Sequence, residues 1–411
     1  MTDDSRAPSA AVVGGGPAGL MAAETLAAHG FRVDVYDQMP SVGRKLLLAG
    51  RSGLNLTHSE PIDALAARYG TAQQVADAVR RFDASRLREW AAGLGETTFV
   101  GSSGRVFPTS FRATPLLRAW LARLDALGVT LHTRHRWTGW SGRSTELQFD
   151  TATGPQIVAA DVVVFALGGA SWPRVGSDGG WVARFEAAGV AVTALRPANC
   201  GVIVAWPAEF ADRFAGEPLK NVALGVDGTW VRGDITITHD GLESGPVYTQ
   251  SARIRDLVAA TGSCTVEIDL LPDLTAERVV ARLTQRRQKD SLSNALRRTL
   301  HLSPAAIAVL RATANGPLPT DPAALATRLR AVPVVVTATA GIERAISTAG
   351  GIALDEVDDR FMLRRLPGVF VAGEMLDWEA PTGGYLLQAT FATAVAAADG
   401  AAAWAATQAG G

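Results

Sequence analysis

The chain has little sulfur and almost no net charge. Of 411 residues only two are cysteine, Cys200 and Cys264. They form no C-x-x-C, which excludes a redox dithiol pair and a cysteine-based zinc site. So few thiols suit a reducing compartment, and a cytoplasmic location is expected. The 39 Lys and Arg against 40 Asp and Glu leave a net charge of -1. No overall field therefore draws the chain to nucleic acid or to an acidic membrane. Long clean hydrophobic runs are also missing. The apolar segments near the two ends carry Glu24 and Asp399, and no membrane span is expected. The opening MTDDSRAPSA is polar and acidic, so no secretory leader is expected either. His132 and His135 lie three apart in a strand-like HTRHRW, which predicts opposite faces and no metal site.

What is present is chain enough for two or three domains with a large core. Residues 10–13 (AAVV) run into GGGPAG and LMAAETLAAHG, and FRVDVYDQ follows. That order reads as strand, Gly-rich turn, helix ending at Gly30, and second strand. A further helical pattern spans 114–128, TPLLRAWLARLDALG. DVVVFALGG at 161–169 suits a parallel strand buried on both faces. From 196 to 337 the texture changes. CGVIVAW, VALGV, DITITHD and CTVEIDL predict a small antiparallel sheet or barrel. Residues 276–330 then read as helical and basic, with LTQRRQKDSLSNALRRTL at 283–300. The end of the chain returns to the first style with LPGVFVAGEMLD and a long Ala-rich helix. The predicted organisation is a nucleotide-binding domain built from 9–195 and 338–408, with 196–337 inserted.

Gly14, Gly16 and Gly19, with Pro17 and Ala18 between them, form the turn into the first helix. Such a turn needs a tight bend, close backbone approach to a pyrophosphate, and close helix–strand packing. The helix N-terminus faces the pyrophosphate, and Asp37 at the end of the second strand accepts ribose hydroxyls. An acidic residue here argues against a 2′-phosphate. On this pattern alone the dinucleotide is FAD or NAD. SVGRKLLLAGRSGLNLT at 41–57 favours FAD, since Gly43, Gly50 and Gly53 permit close approach and Arg44 and Lys45 can face phosphate. Gly373 and Glu374 end a late strand, where a carboxylate can bind ribityl hydroxyls. Gly383 and Gly384 open a helix near Tyr385, whose N–H groups can stabilise negative charge on a reduced flavin.

Several longer stretches add to these: VVGGGPAGLMAA, GRKLLLAGRSGLNLT, GRVFPTS at 104–110, ALGGASWPRVGSDGG at 166–180, THDGLESGP at 238–246, TAGGI at 348–352, and VFVAGEMLDWEAPTGGYLLQATFATA. Together they resemble the BaiN/YhiN-like bacterial flavoproteins, a family of NAD(P)/FAD-dependent oxidoreductases. The resemblance implies an α/β fold: a glutathione-reductase-type FAD-binding Rossmann domain with an inserted β-barrel and a helical subdomain. It implies non-covalent FAD, with Asn55, Gly168 and Gly169 joining the cofactor-binding residues above. Two departures stand out. The family carries an Arg-Cys pair just before the Asn of Asn-Leu-Thr, where this chain has Gly53 and Leu54, so any role of that thiol is lost. THDGLESGP holds one extra residue, Glu243, beside the candidate catalytic His239. Trp172 and Trp378, inside two of the motifs, either face a flavin or substrate or simply pack. Trp378 is the second catalytic candidate.

The leading expectation is an FAD-dependent oxidoreductase that moves hydride through flavin N5 between a reductant and a small-molecule substrate. No second G-x-G-x-x-G stands between a strand and a helix, so NAD(P)H is expected only as a transient visitor. One alternative is a flavin-dependent reductase of a nucleobase in RNA. Arg286, Arg287, Lys289, Arg297 and Arg298 concentrate in the inserted helices, and Arg134 and Arg136 flank Trp137. A solvated helix face is the plainer account of those charges. A second alternative is a non-catalytic FAD-binding protein.

Overall fold

The computed structural model describes residues 7–287 and 289–409. It divides into two compact units, Met1–Arg196 with Ser347–Gly411, and Pro197–Ile346.

The first unit is built on a five-stranded parallel sheet of order β20-β10-β1-β2-β6. Its strands are β1 (Ser9–Val13), β2 (Arg32–Asp37), β6 (Thr130–Thr133), β10 (Val162–Phe165) and β20 (Val369–Val371). All of the interior strand β10 is buried, as a parallel strand covered on both faces requires, and the edge strand β20 is buried as well. The helix α1 (Pro17–Ala28) follows β1, and α2 (Arg44–Ala49) follows β2. Then come β3 (Thr57–His58), α3 (Ile62–Ala67), α4 (Gln73–Arg81), α5 (Ala84–Gly93), β4 (Thr98–Val100), β5 (Arg105–Pro108) and α6 (Ala113–Ala126). Strands β3, β5 and β4 make a small sheet of their own. So do β7 (Arg136–Trp140), β8 (Glu146–Thr151) and β9 (Gly154–Ala159). The helix α7 (Val182–Ala187) precedes β11 (Val192–Ala198), which pairs with β19 (Ser347–Ile352).

The closing helix α14 (Tyr385–Ala409) packs on α1 and α4. By length and composition alone it could cross a membrane, yet 61% of its apolar window is buried inside the protein. Core packing accounts for that apolar character. Small side chains let α1 and α14 approach closely: Ala22 and Ala23 on one, Ala389, Ala394 and Ala397 on the other, all buried.

The second unit holds β12 (Val202–Ile203), α8 (Ala208–Phe214), β13 (Pro218–Val226), β14 (Thr229–Thr238), β15 (Gly241–Glu243), α9 (Gly245–Thr261) and β16 (Cys264–Asp269). Helices α10 (Ala276–Thr284), α11 (Leu292–Leu300), α12 (Pro304–Ala312) and α13 (Pro322–Arg330) follow, then β17 (Val332–Val336) and β18 (Ala338–Thr339). The sheet order is β17-β16-β13-β14-β15-β12-β18. Only Thr337 separates β17 from β18, so one continuous segment pairs with both ends of the row and closes it into a barrel.

Three details differ from the sequence reading. The basic run at 283–300 is not one helix. It breaks between Thr284 and Leu292, where Ser291 caps α11 by accepting from Asn294 N–H. The second unit extends past 337, because Ala338 and Thr339 pair with β12; the chain returns to the first unit at Ser347. His132 and His135 do not diverge. Their ring centroids are 5.4 Å apart beside Tyr36. β6 ends at Thr133, and Arg134 at φ +59° turns the chain so that alternation no longer applies. Among the described residues no cluster could hold a metal ion.

One carboxylate fastens three helices of the first unit. Glu24 of α1 accepts the indole N–H groups of Trp90 (3.0 Å) and Trp120 (2.6 Å) and the guanidinium of Arg123 (2.9 Å). Its side chain is 14% exposed. Glu24→Ala strands these donors in a poorly hydrated place and is expected to cost about 3 kcal/mol. Urea unfolding should show a lower midpoint at unchanged slope. A loss below about 0.5 kcal/mol would make the contact incidental.

Candidate functional site

The glycines at the α1 entrance serve two different masters. A Cβ on Gly14 would lie 2.4 Å from Ala166 O, and one on Gly19 only 1.8 Å from Gly14 O. Both are demanded by protein packing. A Cβ on Gly16, the N-cap of α1, would meet nothing within 4 Å. The open space there lies at the first turn of α1, whose N–H groups favour an anion. Pro17 at N1 gives up an N–H that the helix would not use.

Asp37 stands beside this turn, but its carboxylate is already engaged. One oxygen accepts Gly15 N–H at 2.6 Å and the other Met39 N–H at 2.7 Å. The second lone pair of each oxygen is left for a hydroxyl. Burial raises its pKa, against the opposing pull of the two N–H groups and of the Arg44 charge.

Lys45 and Glu374, expected to serve phosphate and ribityl chain separately, meet each other. Lys45 Nζ lies 2.6 Å from Glu374 Oε2 and donates to Ser171 Oγ at 2.7 Å. Glu374 also accepts Thr348 N–H at 3.0 Å and Gly169 N–H at 3.4 Å. Gly168 adjoins, and its carbonyl accepts the Trp181 indole N–H. Gly43 N–H donates to Gly15 O at 2.8 Å, tying α2 to the first turn. Ala18 of α1 faces Gly373, where an added Cβ would lie 2.7 Å from Ala18 Cβ.

At the far end Gly384, at φ +99°, starts α14 with its backbone against β3. A Cβ there would sit 2.4 Å from Thr57 O. Gly383 precedes it, also at positive φ. Trp378 is buried, donates its indole N–H to Gly373 O at 2.9 Å and meets Tyr69 edge-on. These contacts brace the Gly373 turn. Trp172 is half-buried, at φ +61°. Leu54, where the family has its thiol, is fully buried. His239 belongs to the second unit, exposed and paired with Asp240 and Asp212.

Several buried polar atoms along this track lack a hydrogen-bond partner among the described residues. They are Arg44 Nε, Ser177 Oγ, Asn55 Oδ1 and Thr57 Oγ1. Ser177 Oγ lies 3.3 Å from where a Gly168 Cβ would stand. Buried polar groups are normally satisfied, so a row of orphans beside open backbone fits an elongated polar ligand. The residues present fit FAD.

Sequence reasoning missed a network at Tyr385. Glu60 takes both forks of Arg68 at 3.0 and 2.7 Å, and the Tyr385 hydroxyl donates to the same carboxylate. His58 stacks on the Tyr385 ring at 5.3 Å, and Tyr69 donates to Tyr385 O at 2.8 Å. Burial, then the bond to Glu60, pushes the Tyr385 hydroxyl up to about 12. No sequence pattern links residues 58–69 to 385.

Residues 8–400 match the family described as HI0933-like protein Rossmann domain. The chain belongs to this family. Its first unit is a Rossmann-type FAD-binding domain. The HI0933-like chain is 26% identical over 402 residues to a 3-dehydro-bile acid delta(4,6)-reductase of Clostridium scindens, covering 93% of this chain and 96% of that one. It is 26% identical over 400 residues to a ribosomal RNA dihydrouridine synthase of Escherichia coli, covering 95% and 96%. Among solved structures, the 3-ketosteroid-delta4-(5alpha)-dehydrogenase of Rhodococcus jostii aligns with TM-score 0.53 at 14% identity, over 99% and 98% of the chains. A flavocytochrome c3 fumarate reductase aligns at 0.52 and 15%, over 98% and 79%. These two likenesses carry the fold. A flavoprotein oxidoreductase is the reading that family, relatives and fold share.

Two outcomes follow from the site. Gly16→Ala is expected to leave the melting temperature near wild type and reduce FAD retention, while Gly19→Ala lowers the melting temperature. Thermal melts with flavin content measured by absorbance separate them, and equal effects would refute the division of roles. Glu60 is held below its ordinary 4.5 first by the Arg68 hydrogen bonds. A depressed carboxylate stabilises above its unfolded pKa, and this is lost as pH falls through the folded one. Wild type should thus exceed Glu60→Gln by about 0.5–1 kcal/mol at neutral pH, and the gap should close as pH falls through and below the ordinary carboxylate range. A gap independent of pH would point to shape rather than charge.

Proposed function

We propose that this protein is a flavin-dependent reductase of a carbon–carbon double bond conjugated to a carbonyl, with a nicotinamide as transient reductant. The observation that carries it is the set of unpartnered buried atoms of Arg44, Asn55, Thr57 and Ser177, together with the open space at the Gly16 turn. Gly14, Gly16 and Asp37 would hold the adenosine half. Arg44 would meet phosphate, Ser177 and the Glu374 turn the ribityl chain, and Asn55, Thr57 and Gly384 the ring system. The bound flavin would supply two-electron transfer.

The chain's own contribution at the ring end is electrostatic. The first-turn N–H groups of α14 favour negative charge on a ring edge packed there, and they are oriented before reaction. The Tyr69 and Glu60 contacts fix Tyr385, and so the direction of those groups. The substrate class is supported by both curated relatives. One is named for reducing a 3-dehydro-bile acid, the other for making dihydrouridine, whose formation saturates a ring double bond next to a carbonyl. With Leu54, buried, where the family has its thiol, no cysteine stands at that position to take part in the reaction.

A second reading, a uracil in RNA as the substrate, is favoured by the dihydrouridine synthase relatives. The inserted basic cluster gives it little support. Arg298 pairs with Asp290 at 2.6 Å, Arg297 is bound to Asn294, and Arg286 to the Asp290 carbonyl. Trp137 is 6% exposed with Arg184 over its ring, so it offers no open stacking face beside Arg134 and Arg136.

The test is anaerobic. NADPH or NADH should bleach the visible flavin band of the purified protein, and a 3-oxo-4-ene steroid acid or uridine-containing RNA should restore it. A flavin that neither nicotinamide reduces, or a reduced protein that neither acceptor reoxidises faster than buffer, would overturn the proposal.

A further inference from the structure

The small sheet β3-β5-β4 of the first unit has two unlike faces. Thr57, Val106 and Pro108 turn inward and are buried. The opposite face carries Arg105 and Phe107 of β5, and Phe99 across the ladder from Phe107. Phe111 joins these rings just past the strand. Ring centroids lie 5.8 Å apart for Phe99–Phe107, 5.0 Å for Phe107–Phe111 and 6.3 Å for Phe99–Phe111, whose planes are 21° apart. Phe99 is 42% exposed and Phe111 43%. Three large aromatic rings left partly in water cost stability unless something stacks on them.

Two further features tie this ladder to the candidate site. Phe111 sits at φ +59°, a conformation that bulky side chains seldom adopt and that clusters at functional positions. Its ring lies against Gly53, where a Cβ would be 2.5 Å from it. Two residues on is Asn55, with its unpartnered oxygen. The rings therefore adjoin the segment expected at the flavin.

Arg105 stands on this face, Arg112 follows Phe111 directly in the chain, and Arg51 lies two residues before Gly53, which the Phe111 ring touches; all three are exposed, and among the described residues none forms an ion pair. A stacked series of rings bordered by unpaired arginines has the chemistry of a single-strand nucleic-acid platform. A fused-ring acid would be expected to sink into an enclosed pocket and to need one cation, not three. We infer that this face binds single-stranded RNA, stacking bases on the Phe99–Phe107–Phe111 ladder while the arginines follow the phosphates. The inference rests on the second reading above for its consequence, but RNA binding is separable from reduction.

The experiment uses the full-length, flavin-loaded oxidised protein and a short fluorescein-labelled single-stranded RNA of mixed sequence, read by polarisation. Wild type should bind at low salt. Phe99→Ala should weaken binding about tenfold or more, as loss of one base-stacking ring does. Arg105→Gln should reduce the slope of log K against log salt by about 0.7, one phosphate contact. Arg286→Gln with Arg287→Gln, in the second unit, should change neither. Each variant must keep the wild-type flavin spectrum. No binding by wild type, or wild-type affinity in Phe99→Ala with wild-type slope in Arg105→Gln, would overturn the inference. So would loss confined to the Arg286/Arg287 variant, or a steroid acid that binds in place of RNA and is lost in Phe99→Ala. None of these outcomes depends on turnover, so the reductase proposal stands or falls separately.

Discussion

Glu374 accepts the Lys45 ammonium and the N–H groups of Thr348 and Gly169, so that α2, β19 and the turn after β10 converge on one carboxylate. These partners come from three separate stretches of chain, and each also shapes the candidate cofactor track. Lys45 fixes the start of α2 beside Arg44. Gly169 adjoins Gly168 and, through it, Ser177. Thr348 holds Ala170 through its hydroxyl at 2.9 Å. A half-exposed lysine alone would add little, but at 25% and 16% side-chain exposure the pair is shielded enough to orient what surrounds it. The turn carrying Glu374 is in turn braced by Trp378 and by Thr393, which accepts Gly373 N–H at 3.0 Å.

What could be read in the sequence follows from local sterics. The strand–turn–helix–strand at residues 9–37 was legible because the turn is local: Gly19 is forced by the Gly14 carbonyl within that same stretch, although Gly14 itself is forced by Ala166 on the neighbouring strand's end. α6 and α14 were legible from spacing and length. The Lys45–Glu374 pair was not, since both residues had sensible partners in an absent ligand and nothing in the spacing favours one another. The Glu60–Arg68–Tyr385 network escaped for a similar reason: Tyr385 reads as the first residue of a helix, while its function lies in a carboxylate brought up from the other end of the chain. His132 and His135 were misjudged because a single left-handed residue, Arg134, ends the strand rule on which the argument rested.

The aromatic content divides along the same line. Trp90, Trp120 and Phe391 meet in the core around Glu24, and Trp137, Trp140, Phe165 and Phe185 pack under the β7–β9 sheet. Rings of that kind bury apolar area and give the domain its stability. Phe99 and Phe107 differ in standing on an open sheet face with Arg105, and Phe111 joins them just past the strand. Counting aromatic residues could not have distinguished the two groups. Register did, because β5 turns Val106 and Pro108 in and leaves Phe107 out.

The pairing of β11 with β19 is bracketed by hydrogen bonds from Ala353 N–H to Ala191 O at 3.0 Å and from Ile346 N–H to Asn199 O at 3.2 Å. The chain thus leaves the first unit and returns to it on adjacent antiparallel strands. For the polymer, the whole intervening unit, once folded, counts as a tether a few residues long. The entropy of closing a loop grows with its flexible length, so a pre-folded insert spares the first unit most of that cost. An excised insert replaced by a short turn would present the host sheet with nearly the same boundary condition. In evolutionary terms, such a seam lets the inserted unit be exchanged or enlarged without redesigning the nucleotide fold around it.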